Sequence, residues 1–100
     1  MMISPRRSKK HLAFVRARAC VFCPSLADEA HHAFRRAGGG GVGLKGCDFL
    51  TVPLCVEHHR ELHTTGTVKP YTARELPVVL WQAVAMALRD RLLVEGKVEP

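Results

Sequence analysis

The sequence predicts a small α+β domain, in which a β-hairpin and the helix that follows it are flanked by an N-terminal and a C-terminal helix. Two short β-prone segments enclose a glycine-rich stretch, and a segment with Cys and His residues at helical spacing comes directly after them. With 100 residues the chain forms one domain with a limited core. We expect a basic tail at 1–8, the hairpin-helix unit at 9–64 and a helical extension at 65–100.

The first predicted element is a short helix over residues 8–18. Its apolar residues Leu12, Phe14 and Val15 lie among basic ones, and the segment runs directly into Cys20. The segment from Cys20 to Pro24 then predicts a tight turn that carries metal ligands.

The hairpin follows, with its first strand at 31–34 and its second at 49–52. Six of the eight glycines fall between Gly38 and Gly46, which predicts a mobile loop between the strands. Pro53 is expected to end the second strand because it lacks an N–H donor. The segment 55–64 is then expected to form a helix.

The last third predicts one long helix that ends near Val94. Thr72-x-x-Glu75 has the pattern of a capping box, and Pro77 is tolerated close to the helix start. An apolar face follows, thickened by three further side chains, so we expect the helix to pack over the hairpin or to pair with a second copy, which leaves monomer and homodimer open. The face comprises Leu76, Leu80, Val84 and Leu88, and the thickening residues are Trp81, Met86 and Leu92.

The Cys and His residues fall into three segments, Cys20-x2-Cys23, His31-His32 and Cys55-x2-His58-His59-x3-His63. A closed structural zinc takes four N/S ligands, which two short-spaced pairs supply here. The predicted zinc-knuckle staple consists of Cys20, Cys23, Cys55 and His58. An alternative is a single zinc on a mixed set, with His59 in place of His58. Cys47 is not needed in either scheme.

Four histidines of these segments are left over, which predicts a second metal site. On a helix, His59 and His63 share a face roughly 90° from that of Cys55 and His58. Together with His31, they form a set of neutral imidazoles that suits a catalytic divalent ion, with His32 beside them. The alternative is that they are surface histidines on an exposed helix.

The formal charge of +6 is concentrated at the start of the chain, where six basic residues precede the first acidic one, Asp28. Such a segment predicts a polyanion partner, most often nucleic acid. The alternative is a solvated basic tail. The candidate phosphate-binding residues are Arg16, Arg18, Arg35, Arg36 and Arg60.

Nothing in the sequence indicates secretion or a membrane. The N-terminus lacks a secretory pattern, and the longest uncharged apolar stretch, 76–88, is too short to span a bilayer. Reduced thiols in a cytoplasmic protein are therefore expected.

These motifs together resemble the HNH endonucleases, the ββα-metal nucleases. The form of the motifs, with HLAFVRARACVFC, EAHHAFRRAGGGGVGLK and DFLTVPLCVEHHRELH in this order, is similar to small phage and prophage proteins related to the RecA-dependent nuclease Ref. The likeness covers about residues 11–63. It implies a ββα-metal fold, a DNA substrate, a recombination or phage-replication setting and a recombinase filament as a partner.

The resemblance also implies a role for each histidine. His31 would bind the catalytic ion, Mg²⁺ or Mn²⁺, together with His59 and His63, and His32 would be the general base that takes a proton from the attacking water. A backbone carbonyl of the glycine segment is expected to orient His32. The four residues of the zinc-knuckle staple correspond to the structural zinc of many family members.

One position departs from the family pattern. The Asn that fastens the hairpin loop in HNH enzymes falls on Leu50, and Asp48 is expected to replace it by accepting hydrogen bonds from backbone amides. If it does not, DNA binding without efficient cleavage is expected. A zinc-stabilised DNA-binding module without catalysis is therefore the alternative function, although such a module has no use for the second set of histidines.

Overall fold

The computed structural model describes residues 7–34 and 46–96. The rest of the basic tail, Arg35, Arg36 and most of the glycine-rich segment lie outside these ranges, so the predictions made for them are not addressed by the structure. The elements follow the order helix, strand, strand, helix, helix, which confirms the small α+β domain. They are α1 (Lys9–Arg16), β1 (Glu29–His32), β2 (Thr51–Leu54), α2 (Val56–Thr65) and α3 (Leu76–Val94).

Helix α1 begins where a side-chain cap is available. The hydroxyl of Ser8 accepts a hydrogen bond from the His11 amide, and it thereby satisfies one of the free N–H groups of the first turn. His11 and Val15, four residues apart, are the buried residues of the helix. The predicted short helix before Cys20 is confirmed.

The two strands pair antiparallel, with Glu29 opposite Leu54 and His32 opposite Thr51. β1 begins and ends two residues earlier than predicted, because Asp28 and Phe34, with φ of 63° and 53°, have left-handed backbone on either side of it. β2 begins two residues later than predicted, after a turn in which the Thr51 hydroxyl donates to the Asp48 carbonyl.

Pro53 lies inside β2, so the prediction that it ends the strand is wrong. Its carbonyl accepts a hydrogen bond from the Val21 amide at 3.0 Å, on the edge of β2 that faces away from β1. The nitrogen and carbonyl of one strand residue point to the same edge. The missing N–H of Pro53 therefore costs no bond to β1, as for other prolines on edge strands.

Helix α2 follows β2 directly, with extended Cys55 as its N-cap and left-handed Gly66, φ 81°, at its end. This glycine supplies the conformation that ends many helices, and its amide bonds the Leu62 carbonyl. The predicted metal-ligand helix at 55–64 is confirmed to within one residue at each end.

Helix α3 begins after the predicted capping box. The Thr72 amide donates to the Glu75 carboxylate at 3.0 Å, and the Glu75 amide donates to the Thr72 hydroxyl at 3.2 Å. The expected apolar face is buried at Leu76, Leu80 and Val84.

The predicted thickening of this face is wrong, because Trp81, Met86 and Leu92 are 45%, 49% and 39% exposed. They lie outside the buried stripe of the helix. Trp81 instead stacks on Phe34, with the ring centroids 3.9 Å apart.

The core lies between the hairpin, α2 and α3. α3 packs against β2 and α1, which confirms the prediction that it covers the hairpin. The core residues come from β2, α2, α3 and the connecting segments, among them Cys20, Ala33, Val52, Leu54, Leu62, Val68, Leu80 and Val84. Within the described ranges, no helix has the length and apolar character needed to cross a membrane.

Candidate functional site

The four residues of the zinc-knuckle staple come together from the turn after α1 and the start of α2. Their ligand atoms all lie within 4.8 Å of one another. The Cys23 and Cys55 sulfurs are 3.8 Å apart, and His58 Nδ1 lies 3.2 Å from the Cys55 sulfur and 3.6 Å from the Cys20 sulfur. His58 is the histidine of this group, whereas His59, the histidine of the alternative set, lies in a second group.

These distances fit a bound zinc ion. Four ligands at tetrahedral angles, with Zn–S bonds of about 2.3 Å and Zn–N bonds of about 2.0 Å, place two sulfurs about 3.8 Å apart and a sulfur and a nitrogen about 3.5 Å apart. The donor set, three thiols and one imidazole, is typical of closed structural sites. The group therefore fits a structural zinc.

The backbone around the cysteines also suits thiolate ligands. The Phe22 amide donates to the Cys20 sulfur at 3.4 Å. The backbone and the hydroxyl of Ser25 lower the pKa of Cys23 to about 7, whereas burial raises the pKa of Cys55. A thiolate at Cys23 is thus accessible near neutral pH, as metal binding requires.

His31, His59 and His63, which we call the histidine triad, form a second group. His59 Nε2 lies between the other two, 3.2 Å from His31 Nδ1 and 3.0 Å from His63 Nε2. Metal–nitrogen bonds of about 2.0–2.1 Å at angles between 90° and 109° give separations of about 2.8–3.4 Å. The triad therefore fits one divalent ion and leaves coordination positions open.

The electrostatics keep His31 in the form that a metal ligand needs. The pKa of His31 is lowered to about 4, and burial is the largest cause. The positive charges that His59, His63 and His32 carry when protonated lower it further. The imidazole of His31 is therefore neutral at neutral pH, with a lone pair available.

Glu29 supports the triad, although nothing in the sequence analysis singled it out. Its carboxylate lies 2.6 Å from His59 Nδ1. Since a carboxylate only accepts, Nδ1 carries the proton and Nε2 presents its lone pair to the triad. Glu29 and His31 are two residues apart on β1, so both point to the same face of the hairpin as α2.

His32 is next to the triad on the chain, but its partner lies 16 residues away. His32 Nε2 is 2.7 Å from Asp48 Oδ1. A carboxylate therefore orients this nitrogen, whereas the expected orienting partner, a backbone carbonyl of the glycine-rich segment, falls largely outside the described residues. Nε2 donates to Asp48, and Nδ1 is left as the nitrogen that accepts a proton.

Asp48 accepts a hydrogen bond from a backbone amide, as expected, but this amide belongs to Ser8 and not to the part of the hairpin loop that the structure describes. Among the described residues, its backbone donor is the Ser8 amide, 2.7 Å from Oδ2, and Arg7 Nη1 lies 3.4 Å from Oδ1. Burial raises the pKa of Asp48, but the hydrogen bonds from His32 and Ser8 and the charge of Arg7 lower it below its usual value overall. The carboxylate is therefore ionised, and it joins His32 to the start of α1.

The candidate phosphate-binding arginines have different surroundings. Arg16 and Arg60 are exposed. Arg18 forms an ion pair with Asp90 of α3 at 2.8 Å and lies over the Phe14 ring, so it fastens the end of α1 to α3. Cys47 is half-buried and belongs to neither ligand group, as expected.

Comparisons with known proteins assign no activity to this chain. A family model described as "Protein of unknown function (DUF968)" matches residues 3–70. The chain is similar to "Uncharacterized protein YdfU" of Escherichia coli (strain K12), with 41% identity over 56 residues. This match covers 56% of the chain but spans only 16% of that relative. No solved structure matches the chain.

Proposed function

The chain belongs to the DUF968 family, and from the geometry of its two ligand groups we propose that it is a metal-dependent endonuclease of the HNH type, acting on DNA. Its substrate bond is the phosphodiester, and its catalytic ion is bound by the histidine triad. The structural zinc is bound by Cys20, Cys23, Cys55 and His58.

The observation that carries the proposal is that His32, held by the Asp48 carboxylate, directly follows His31 of the histidine triad on β1. A module that needs zinc only for folding is complete with the first ligand group. Here, three further histidines are arranged at ligand distance, and the next residue after His31 is a histidine with one nitrogen fixed by a buried carboxylate. An open metal position next to an oriented base is the arrangement that hydrolysis requires.

In the proposed reaction, the residues of the chain have separate tasks. His32 accepts a proton from the attacking water at Nδ1, and Asp48 stabilises the imidazolium that results. Glu29 holds His59 in the tautomer that binds metal. The ion, when bound, supplies Lewis-acid stabilisation of the charge that develops on the phosphate and on the leaving 3′ oxygen.

The zinc-knuckle staple supports this site through α2. Cys55 and His58 begin the helix, and His59 and His63 continue it on the adjacent face. Zinc binding by Cys55 and His58 therefore fixes the rotation of α2 about its axis. It thereby also fixes the direction in which His59 and His63 point. The proposed role of the zinc is positional, since it lies in a separate ligand group.

The proposal is tested by plasmid cleavage with Mg²⁺ or Mn²⁺, comparing the wild type with His32→Ala. We expect nicking by the wild type and a loss of about 10²–10⁴-fold in the variant, the usual contribution of a general base. Zinc analysis provides the control, because both proteins should retain the structural zinc.

Equal cleavage by both proteins would exclude His32 as the base. If the wild type binds single- or double-stranded DNA and cuts neither with any divalent ion, the alternative function, a zinc-stabilised DNA-binding module, replaces the nuclease.

A further inference from the structure

A basic groove between α1 and the His32–Asp48 pair lies outside the two ligand groups. It encloses about 550 Å³, and its lining residues are Arg7, Lys9, Leu12, Arg16, His32 and Asp48. This volume is within the usual range for ligand sites, roughly 300–1,000 Å³. The groove thus reaches the proposed general base from the side of α1.

The charge of the groove favours an anion. Arg7, Lys9 and Arg16 supply three positive charges, and Asp48 supplies the only negative one among the lining residues. Asp48 is 4% exposed and already accepts hydrogen bonds from Ser8 and His32, so it repels an incoming anion less than a free carboxylate would. Lys9 and Arg16 are exposed, with their ammonium and guanidinium groups available at the surface.

The spacing of the two exposed cations suits a repeating polyanion. Lys9 and Arg16 are seven residues apart on α1, which places them on nearly the same face and about 10.5 Å apart along the helix axis. That distance corresponds to about three nucleotide steps of 3.4 Å along one strand of duplex DNA. A single small anion would use only one end of such an arrangement.

We propose that this groove binds the backbone of the cleaved DNA strand, and that Lys9 and Arg16 contact phosphates on the α1 side of the scissile bond. The inference rests on the proposed function, because it takes His32 as the base at the reacting phosphate. Arg7, held against Asp48 and the Gly46 carbonyl, is the third cation that lines the groove.

The experiment compares a groove variant, Lys9→Glu with Arg16→Glu, with a control variant, Lys69→Glu with Arg74→Glu. The control residues are also exposed. Arg74 lies just before the N-terminal end of α3, whereas Arg18 bonds Asp90 in the C-terminal half of that helix. Both double variants change the net charge by the same amount. Binding of a fluorescein-labelled duplex is followed by anisotropy, with zinc-loaded protein and no added Mg²⁺ or Mn²⁺.

We expect the groove variant to bind at least about tenfold more weakly than the control variant, and the slope of log K against log salt to be smaller by about 2, as for two lost phosphate contacts. Circular dichroism and zinc content check that both variants are folded. Equal affinities and slopes for the two variants would overturn the inference.

Failure of the groove and failure of the nuclease are distinguished by plasmid cleavage with the same proteins. If the wild type cuts, and the groove variant binds and cuts like the control variant, the groove proposal is wrong and the nuclease proposal stands. If the wild type binds DNA through the groove but does not cut it with any added divalent ion, the groove proposal is supported and the nuclease proposal is wrong.

Discussion

At the scale of single residues, the site depends on two carboxylates as much as on its histidines. Glu29 and Asp48 each fix one ring nitrogen, of His59 and His32 respectively, and thereby decide which nitrogen faces the metal or the substrate. Their effects differ, because Glu29 acts on a proposed metal ligand and Asp48 acts on the proposed base.

Replacing Glu29 with Ala should weaken metal binding by the histidine triad by about 10–100-fold, the usual cost of losing a partner of a ligand histidine. The measurement is a Mn²⁺ or Co²⁺ titration of protein whose structural zinc is already bound. Glu57→Ala, an exposed carboxylate in the first turn of α2, is the control. Unchanged affinity in the Glu29 variant would mean that the carboxylate does not set the His59 tautomer.

The two groups of Cys and His residues could be predicted from the sequence, whereas the carboxylates that contact them could not. Cys-x2-Cys and His-x3-His spacings specify which atoms can meet, because a tight turn and a helix have fixed geometry. Asp48 reaches His32 only after the intervening segment has brought the two together, and no local rule gives that distance. Glu29 left a signal, since residues two apart on a strand share a face, but that signal does not say which histidine it meets.

At the scale of elements, helices were easier to predict than strands. α2 is indicated by the spacing of its Cys and His residues, and α3 by its capping box and its apolar period. The strands are four residues long, and their limits are set by Asp28, Phe34 and the turn at 48–51. Pro53 shows the same limitation, because only the tertiary arrangement determines which edge of β2 faces β1.

The contact of α1 with α3 contains an unusual buried residue. His11 is fully buried beside Phe49, and neither of its ring nitrogens has a hydrogen-bond partner among the described residues. Burial, and then the charge of Arg91, lower its pKa below 6.5, although Asp48 and Glu95 act in the opposite direction. Folding therefore disfavours the protonated form of His11.

This residue should make the fold sensitive to acid. Because the pKa is lower in the folded state, the unfolded state binds more protons below pH about 6.5, and the free energy of unfolding falls as the pH falls through that range. His11→Leu removes this contribution, so the difference in stability between variant and wild type should grow on acidification. Urea unfolding at several pH values measures it.

At neutral pH, His11→Leu should also be more stable than the wild type by about 1 kcal/mol or more, since it removes an unsatisfied buried polar group. His11→Asn is the matched control, because it keeps a buried polar group that does not titrate. A wild type that loses no more stability than His11→Asn on acidification would contradict the assigned role of the imidazole.

At the scale of the whole molecule, the two ligand groups differ in what they hold together. The first joins the turn after α1 to α2 across 38 residues of sequence and includes buried Cys20 of the core. The histidine triad joins β1 to α2 and lies partly exposed, with His63 at the surface. Loss of the first group should therefore affect the fold, and loss of the second should affect only the site.

Stepwise removal of metal should separate these roles. With Co²⁺ or Mn²⁺ in the triad and zinc in the first group, we expect a weak chelator to remove the triad ion without a change in the circular dichroism spectrum. A strong chelator should then remove the zinc and unfold the protein, as in small domains that depend on zinc for a sufficient core.

His63→Ala should abolish the first step and keep the second, whereas Cys23→Ser should disturb both, because α2 carries ligands of each group. Retention of the full spectrum after both ions are removed would mean that the apolar core alone maintains the fold, and that zinc has no positional role for His59 and His63.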